Sequence, residues 1–276
     1  GAGVFFGSGF SQTFQPEHAD HLRFTGIGGI GSLRKLVTAG KLDPIPCHIS
    51  SIEPLLRSRA IRADVVMLQV SPPNARGEYS FGLVNDYVRT AMAQARVVIA
   101  EVNRQLPWSH CDRPLRAEEI TLAIESDRPP LALPSAPFGD LERAIARHLA
   151  DLIPDRATLQ VGIGAVPEAI MTMLADRREL GIHSGMIGDS VVTLIEKGAV
   201  TNAHKGIDPG VTISGVLFGT ERLNRFAHEN PQIRLCPTSY THSLAVLSRL
   251  KNFVSINSAL EVDLTGQINA ETAQGR

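Results

Sequence analysis

Residues 63–70, ADVVMLQV, form a near-continuous apolar run rich in β-branched side chains. Such a run suits a strand buried on both faces, the environment of a parallel sheet. Residues 83–95 (LVNDYVRTAMAQA) then place apolar side chains at helical spacing, and residues 96–102 (RVVIAEV) return to a strand. The order strand, loop, helix, strand requires a crossover connection and predicts parallel pairing. Residues 107–137 are rich in Pro, Asp and Arg, end in PPLALPSAP, and read as a surface linker without a long regular element. Beyond it the alternation resumes. Helices are predicted over 139–152 (capped by Asp140), from 167 to 174, and over 190–197, 221–229 and 243–250; strands over 157–161, 211–218, 234–237 and 253–256. The fold class is therefore α/β, with open and mostly parallel sheets. A domain boundary in the linker gives a first domain over 1–137 and a second over 138–276.

The 276 residues, 43% of them hydrophobic, supply ample core for this architecture. Lys and Arg number 27 against 28 Asp and Glu, so no global field draws in nucleic acid or an anionic membrane surface. The longest apolar stretches are far shorter than the ~20 residues that span a bilayer, which predicts a soluble protein. Cys47, Cys111 and Cys236 are odd in number and lack ligand spacing, which fits a reducing, cytoplasmic setting and implies no metal. The chain opens on Gly1 rather than Met and lacks a basic signal-peptide start, so a preceding segment is expected.

The most informative local pattern is Val161-Gly-Ile-Gly-Ala-Val-Pro167, directly after a predicted strand and directly before a predicted helix. Gly162 and Gly164 let the backbone approach a ligand, and Pro167 suits the first turn of a helix whose unpaired N–H groups favour an anion or a developing oxyanion. The spacing matches neither GxGxxG nor the P-loop, so an anion-binding turn and a plain tight turn both stand. A second cluster, Gly26-Ile-Gly-Gly-Ile-Gly31, lacks an acidic residue at ribose distance and reads as a flexible turn more than a nucleotide site. Ser71-Pro-Pro73 and Gly77 close a strand end, where open α/β sheets bind ligands. Period-two alternation puts Glu261 and Asp263 on one strand face, either as a reacting pair or as an exposed face ending in a turn at Thr265-Gly266. His183, Ser184 and Asp189 look superficially like a hydrolase set, but Ser184 lacks the GxSxG elbow.

Taken together, Pro46-Cys-His-Ile-Ser50, VVMLQVSPPNARGEY over 65–79, Ser80-Phe-Gly82, Ala100-Glu-Val-Asn103, LQVGIGAVP over 159–167, residues 180–186, Gly198-Ala-Val-Thr-Asn202 and residues 254–267 resemble the acetyl-CoA hydrolase/4-hydroxybutyrate CoA-transferase family. The resemblance runs from about Leu22 onward. It implies two similar α/β domains that move coenzyme A between an acyl-CoA and a free carboxylate through a glutamyl-CoA thioester, or hydrolyse the acyl-CoA. Coenzyme A is then a substrate, the partners are an acyl-CoA and a carboxylate, and the chain is expected to form a homo-oligomer.

Carried over position by position, the family's CoA-binding turn falls on Gly162, Ile163, Gly164, Ala165 and Val166. Its catalytic glutamate, in an HTE or YTE motif, falls on His183-Ser184-Gly185, so Gly185 stands where the nucleophile belongs. A glycine cannot form an acyl anhydride or a thioester. Three readings follow: a transferase or hydrolase that uses another carboxylate, with Glu261 the candidate; a CoA-ester-binding protein with little turnover; or other acyl-CoA chemistry on the same scaffold. The resemblance also implies that family sequence continues before Gly1 and beyond Arg276, leaving the second domain incomplete.

Overall fold

The computed structural model describes residues 1–270, in which short strands and helices alternate and all but two of the strand pairings are parallel. Contacts group the chain into two units, Gly1–Ile52 with the segment that begins at Leu260, and Glu53–Ala259. Residues 137 and 138, the expected domain boundary, lie in the connection between the strand Leu122–Ser126 and the helix Asp140–Ala150. The terminal Gly275-Arg276 lies outside the described residues.

In the first unit the strands Ala2–Phe6, Leu22–Gly26 and Leu42–Pro44 pair in parallel, in that order. Phe24, Leu36 and Leu42 are buried beneath them, and Phe6 meets Phe14 edge to face at 5.1 Å. Glu261–Val262 and Ile268–Asn269 form an antiparallel hairpin. Asp263 lies beyond its paired residues, and its carboxylate accepts hydrogen bonds from the Thr265 and Gln267 backbone N–H groups at 2.8 and 2.9 Å. It is therefore a turn-forming residue, as Asp commonly is.

In the second unit the strand Val65–Val70 pairs in parallel with Val97–Asn103, which pairs in turn with Leu122–Ser126. That third strand corrects the linker reading: the Pro- and Arg-rich context of 107–137 masked five residues that the sheet recruits through register with Ile99–Asn103. The helix predicted over 83–95 is confined to Val88–Met92. Its first half is diverted because the Asn85 N–H donates to the Gly215 carbonyl and the Asn85 side chain to the Leu235 carbonyl. The strand predicted over 211–218 breaks at Gly215 into Thr212–Ser214 and Val216–Leu217, which join different sheets. Asp140 does not cap its helix; the Glu142 carboxylate accepts the Gly139 N–H at 2.8 Å.

The strand Thr158–Val161 lies between Gly181–Ile182 and Phe253–Ile256 and pairs in parallel with both. Leu159 and Ile182 are fully buried, as are Ala169, Ile170 and Met171 of the helix Ala165–Met173, which packs on the helix Asp140–Ala150. Burial of each large side chain contributes about 1.5–3 kcal/mol, and this layer fixes the junction between strand and helix. No helix among the described residues is long and apolar enough to cross a membrane.

Glu101, on the strand Val97–Asn103, accepts hydrogen bonds from Gln69, Ser126 and both Nε and Nη2 of Arg128 at 2.7–3.0 Å. The Arg128 bonds hold its carboxyl down at about 2, against an ordinary 4.5. A carboxyl lowered by folding stabilises above its ordinary value and loses that contribution as pH falls toward the lowered one. Glu101→Gln should therefore melt earlier than the parent at pH 7, with the difference closing between pH 4.5 and 2 in melts followed by circular dichroism. Parallel pH curves would contradict this role.

Candidate functional site

The strand Thr158–Val161 ends where its sheet opens, and the chain turns through Gly162-Ile-Gly164 into the helix Ala165–Met173. The Gly162 N–H donates to the Ile256 carbonyl at 2.9 Å, and a Cβ at 162 would lie 2.9 Å from Asn257 Oδ1. Gly164 has φ +126°, a region essentially closed to other residues, and caps the helix. Its carbonyl accepts the Glu168 N–H at 3.2 Å. Pro167 has no N–H, so the first turn presents the Ala165 and Val166 amides without intrahelical acceptors. Beside the turn, Asn257 and Ser255 both donate to the Gln160 side-chain carbonyl, joining two strand ends in a polar rim.

A cavity of about 350 Å³ opens against this turn. Gly162, Ile163 and Gly164 line it, whereas Ala165 and Val166 sit just behind as the first helical residues. Its walls are mainly apolar, with Met171, Ile182, Met186 and Phe218 among them, and among the described residues its one carboxylate is Glu168. Burial raises the Glu168 carboxyl above its ordinary range, opposed by the Ser135 and Ser190 hydroxyls; Ser190 Oγ donates at 3.4 Å. The turn and a carboxylate are thus brought together, but the carboxylate is not the one singled out by sequence. Glu168 is the residue directly after the VGIGAVP run, and its position one turn into a helix was the available signal. Glu261 lies in the other unit, exposed in its hairpin, with Asn269 donating to it at 3.3 Å.

The residues that looked like a hydrolase set are structural. His183 is fully buried, 3.2 Å from the Thr241 carbonyl, and burial pushes its imidazole down to about 4. Ser184 Oγ donates to the Val161 carbonyl at 3.2 Å, tying adjacent strands. Asp189 accepts the Thr220 and Leu223 N–H groups at 2.9 and 3.1 Å, so its carboxylate caps the helix Glu221–Ala227. Lys205, unremarked in sequence, is fully buried and donates to the Ile182 and Val211 carbonyls at 2.8 and 2.6 Å; burial pushes its ammonium down to about 7.

Gly185 is flanked by Ser184 and Met186, which both line the cavity, while its own side-chain direction is blocked. A Cβ there would lie 2.7 Å from His242 Cε1 and 3.1 Å from His242 Nε2. His242 is held by Thr241, whose Oγ1 lies 2.9 Å from Nδ1. The imidazole thus occupies the volume a side chain at 185 would need.

Models of the acetyl-CoA hydrolase/transferase N-terminal domain and C-terminal domain match residues 24–133 and 219–276. The chain belongs to this acetyl-CoA hydrolase/transferase family. It is 37% identical over 252 residues to the 4-hydroxybutyrate coenzyme A transferase of Clostridium kluyveri, covering 91% of this chain and 59% of that one. It is 33% identical to the succinyl-CoA:acetate/propanoyl-CoA:succinate CoA transferase of Fasciola hepatica, covering 91% and 53%. The crystal structure of a 4-hydroxybutyrate CoA-transferase from Porphyromonas gingivalis superposes with a TM-score of 0.82 at 32% identity, over 97% of this chain and 71% of that one. The chain thus spans little more than half the length of these curated relatives.

The packing of Gly185 on His242 makes a double-mutant prediction. Gly185→Glu alone should destabilise by about 1–3 kcal/mol through overpacking. Gly185→Glu with His242→Ala should recover most of that loss relative to His242→Ala, as a coupling energy in urea unfolding. Additive effects would show that the ring does not restrict position 185.

Proposed function

We propose that this chain handles acyl-CoA: it binds a short-chain acyl-CoA thioester at the turn over 162–166 and takes part in moving coenzyme A to a carboxylate or in hydrolysing the thioester. The observation that carries the reading is the turn itself, where Gly162, Ile163 and a positive-φ Gly164 line an apolar cavity of about 350 Å³ and the helix that carries the Ala165 and Val166 amides starts directly behind them. Amides at a helix N-terminus suit a phosphate or a thioester oxyanion, and apolar walls suit a short acyl chain. The relatives named as CoA-transferases support the same class of substrate. In this reading residues 1–137 and 138–276 are two α/β portions of the enzyme, coenzyme A is a substrate, the reaction belongs to the cytoplasm, and the chain assembles with copies of itself.

A second reading, CoA-ester binding with little turnover, is favoured by one specific observation: His242 fills the side-chain direction of Gly185, where the resemblance places the nucleophile. Glu261 remains a candidate for the reacting carboxylate, with Glu261→Gln as its direct test.

Incubation with acetyl-CoA, with and without excess butyrate, distinguishes these activities. Free thiol without acceptor indicates hydrolysis, and butyryl-CoA with acceptor indicates transfer. Binding at 100 times Kd should stabilise by about 2.7 kcal/mol, a rise of about 5–10 °C in Tm for a domain of this size. Gly164→Ala should lower stability by about 1–3 kcal/mol through strain at its φ and weaken the ligand-induced rise. A Tm indifferent to acetyl-CoA and to coenzyme A, with no thiol and no new acyl-CoA, would overturn the proposal.

A further inference from the structure

We infer that Glu168 is the catalytic carboxylate of this chain, acting as the general base that activates water against an acyl-CoA thioester held in the cavity. The inference rests on the acyl-CoA reading above and adds the group that reacts.

The carboxylates near the turn differ in what already occupies them. Asp189 is engaged by the Thr220 and Leu223 N–H groups and by Thr220 Oγ1. Glu168 lines the cavity, and its bond from Ser190 is long at 3.4 Å. Side chains on a helix lean back over the preceding turn. Glu168 is the fourth residue of the helix Ala165–Met173, one turn from the Ala165 and Val166 amides suited to an oxyanion, and its Oε1 lies 3.4 Å from Ser190 Oγ on the cavity wall. Base and oxyanion donors thus come from one helical turn, which fixes their mutual geometry. Partial burial among apolar walls favours the proton-accepting role, because a carboxylate poised above its ordinary range is a better base near neutral pH. Position 185 cannot supply a covalent route, so water is the nucleophile that the site can still admit.

In the step, a water oxygen bonds to the thioester carbonyl carbon as Glu168 takes one of its protons. The carbonyl π pair moves onto oxygen, facing the Ala165 and Val166 amides. Collapse of the tetrahedral oxyanion breaks the C–S bond, and the departing thiolate takes the proton back from Glu168. One acyl-CoA and one water give one carboxylic acid and one free coenzyme A.

The test compares the full chain with Glu168→Gln, Glu168→Asp and Glu261→Gln, reading thiol release from acetyl-CoA, the acetyl-CoA-induced rise in Tm, and the pH profile of the rate. Glu168→Gln should cut the rate by about 100-fold or more while keeping the Tm rise. Glu168→Asp should retain part of the rate, and the acidic limb of the pH profile should vanish in Glu168→Gln. Wild-type turnover in Glu168→Gln, or a loss confined to Glu261→Gln, would overturn the assignment. So would a parent chain that binds acetyl-CoA but releases no thiol, a result that leaves the acyl-CoA reading standing. Absence of any Tm rise with acetyl-CoA in the parent would overturn that reading and this assignment together.

Discussion

Parallel pairing of Thr158–Val161 with both Gly181–Ile182 and Phe253–Ile256 is the constraint on which the rest depends. It brings three sequence-distant segments to one edge: the glycine turn, the segment that contains Gly185, and the Ser255–Asn257 rim. Parallel strands present the same end together, so the turn, its helix N-terminus and the neighbouring strand end share one location. Leu159 and Ile182 lock the pairing from beneath, since side chains that leave water completely resist any shift in register.

Above that layer the site divides its polar groups sharply. Asp189, Ser184 and His183 are drawn into capping and strand-tying bonds, and Lys205 feeds two backbone carbonyls. Glu168, by contrast, lines the cavity with the Ser135 and Ser190 hydroxyls beside it. The same economy explains Gly185: its carbonyl accepts the Gly215 and Val216 N–H groups at 3.1 Å each, so backbone there joins two sheets while His242 covers the side-chain direction. The backbone at 185 therefore serves as a structural joint.

Much of the scaffold was legible because apolar runs at strand and helix periods are local signals. The strands Val65–Val70 and Val97–Asn103, the turn at 162–164 and the helix Asp189–Glu196 all match the spans read from pattern alone, with Asn103 and Asp189 one residue beyond them. The strand Leu122–Ser126 was not, because its residues are largely exposed and its identity comes from pairing with a distant partner. Likewise the apolar run over 211–218 gives no hint that Gly215 divides it between sheets. The turn was readable from glycine spacing and the helix-starting Pro167. Glu168 was not, because a glutamate early in a helix is ordinary until its neighbours Ser190 and Phe218 are placed around it.

Acyl-CoA is proposed to enter the cavity beside the glycine turn. The chain has five methionines, and two of them, Met171 and Met186, line that cavity, whereas Met67 is exposed on the outer face of the Val65–Val70 sheet. Titration of ¹³C-methyl-methionine-labelled protein with acetyl-CoA, followed by NMR, should shift the Met171 and Met186 methyl signals and leave Met67 in place. A shift of Met67 with Met171 and Met186 unmoved would contradict the account.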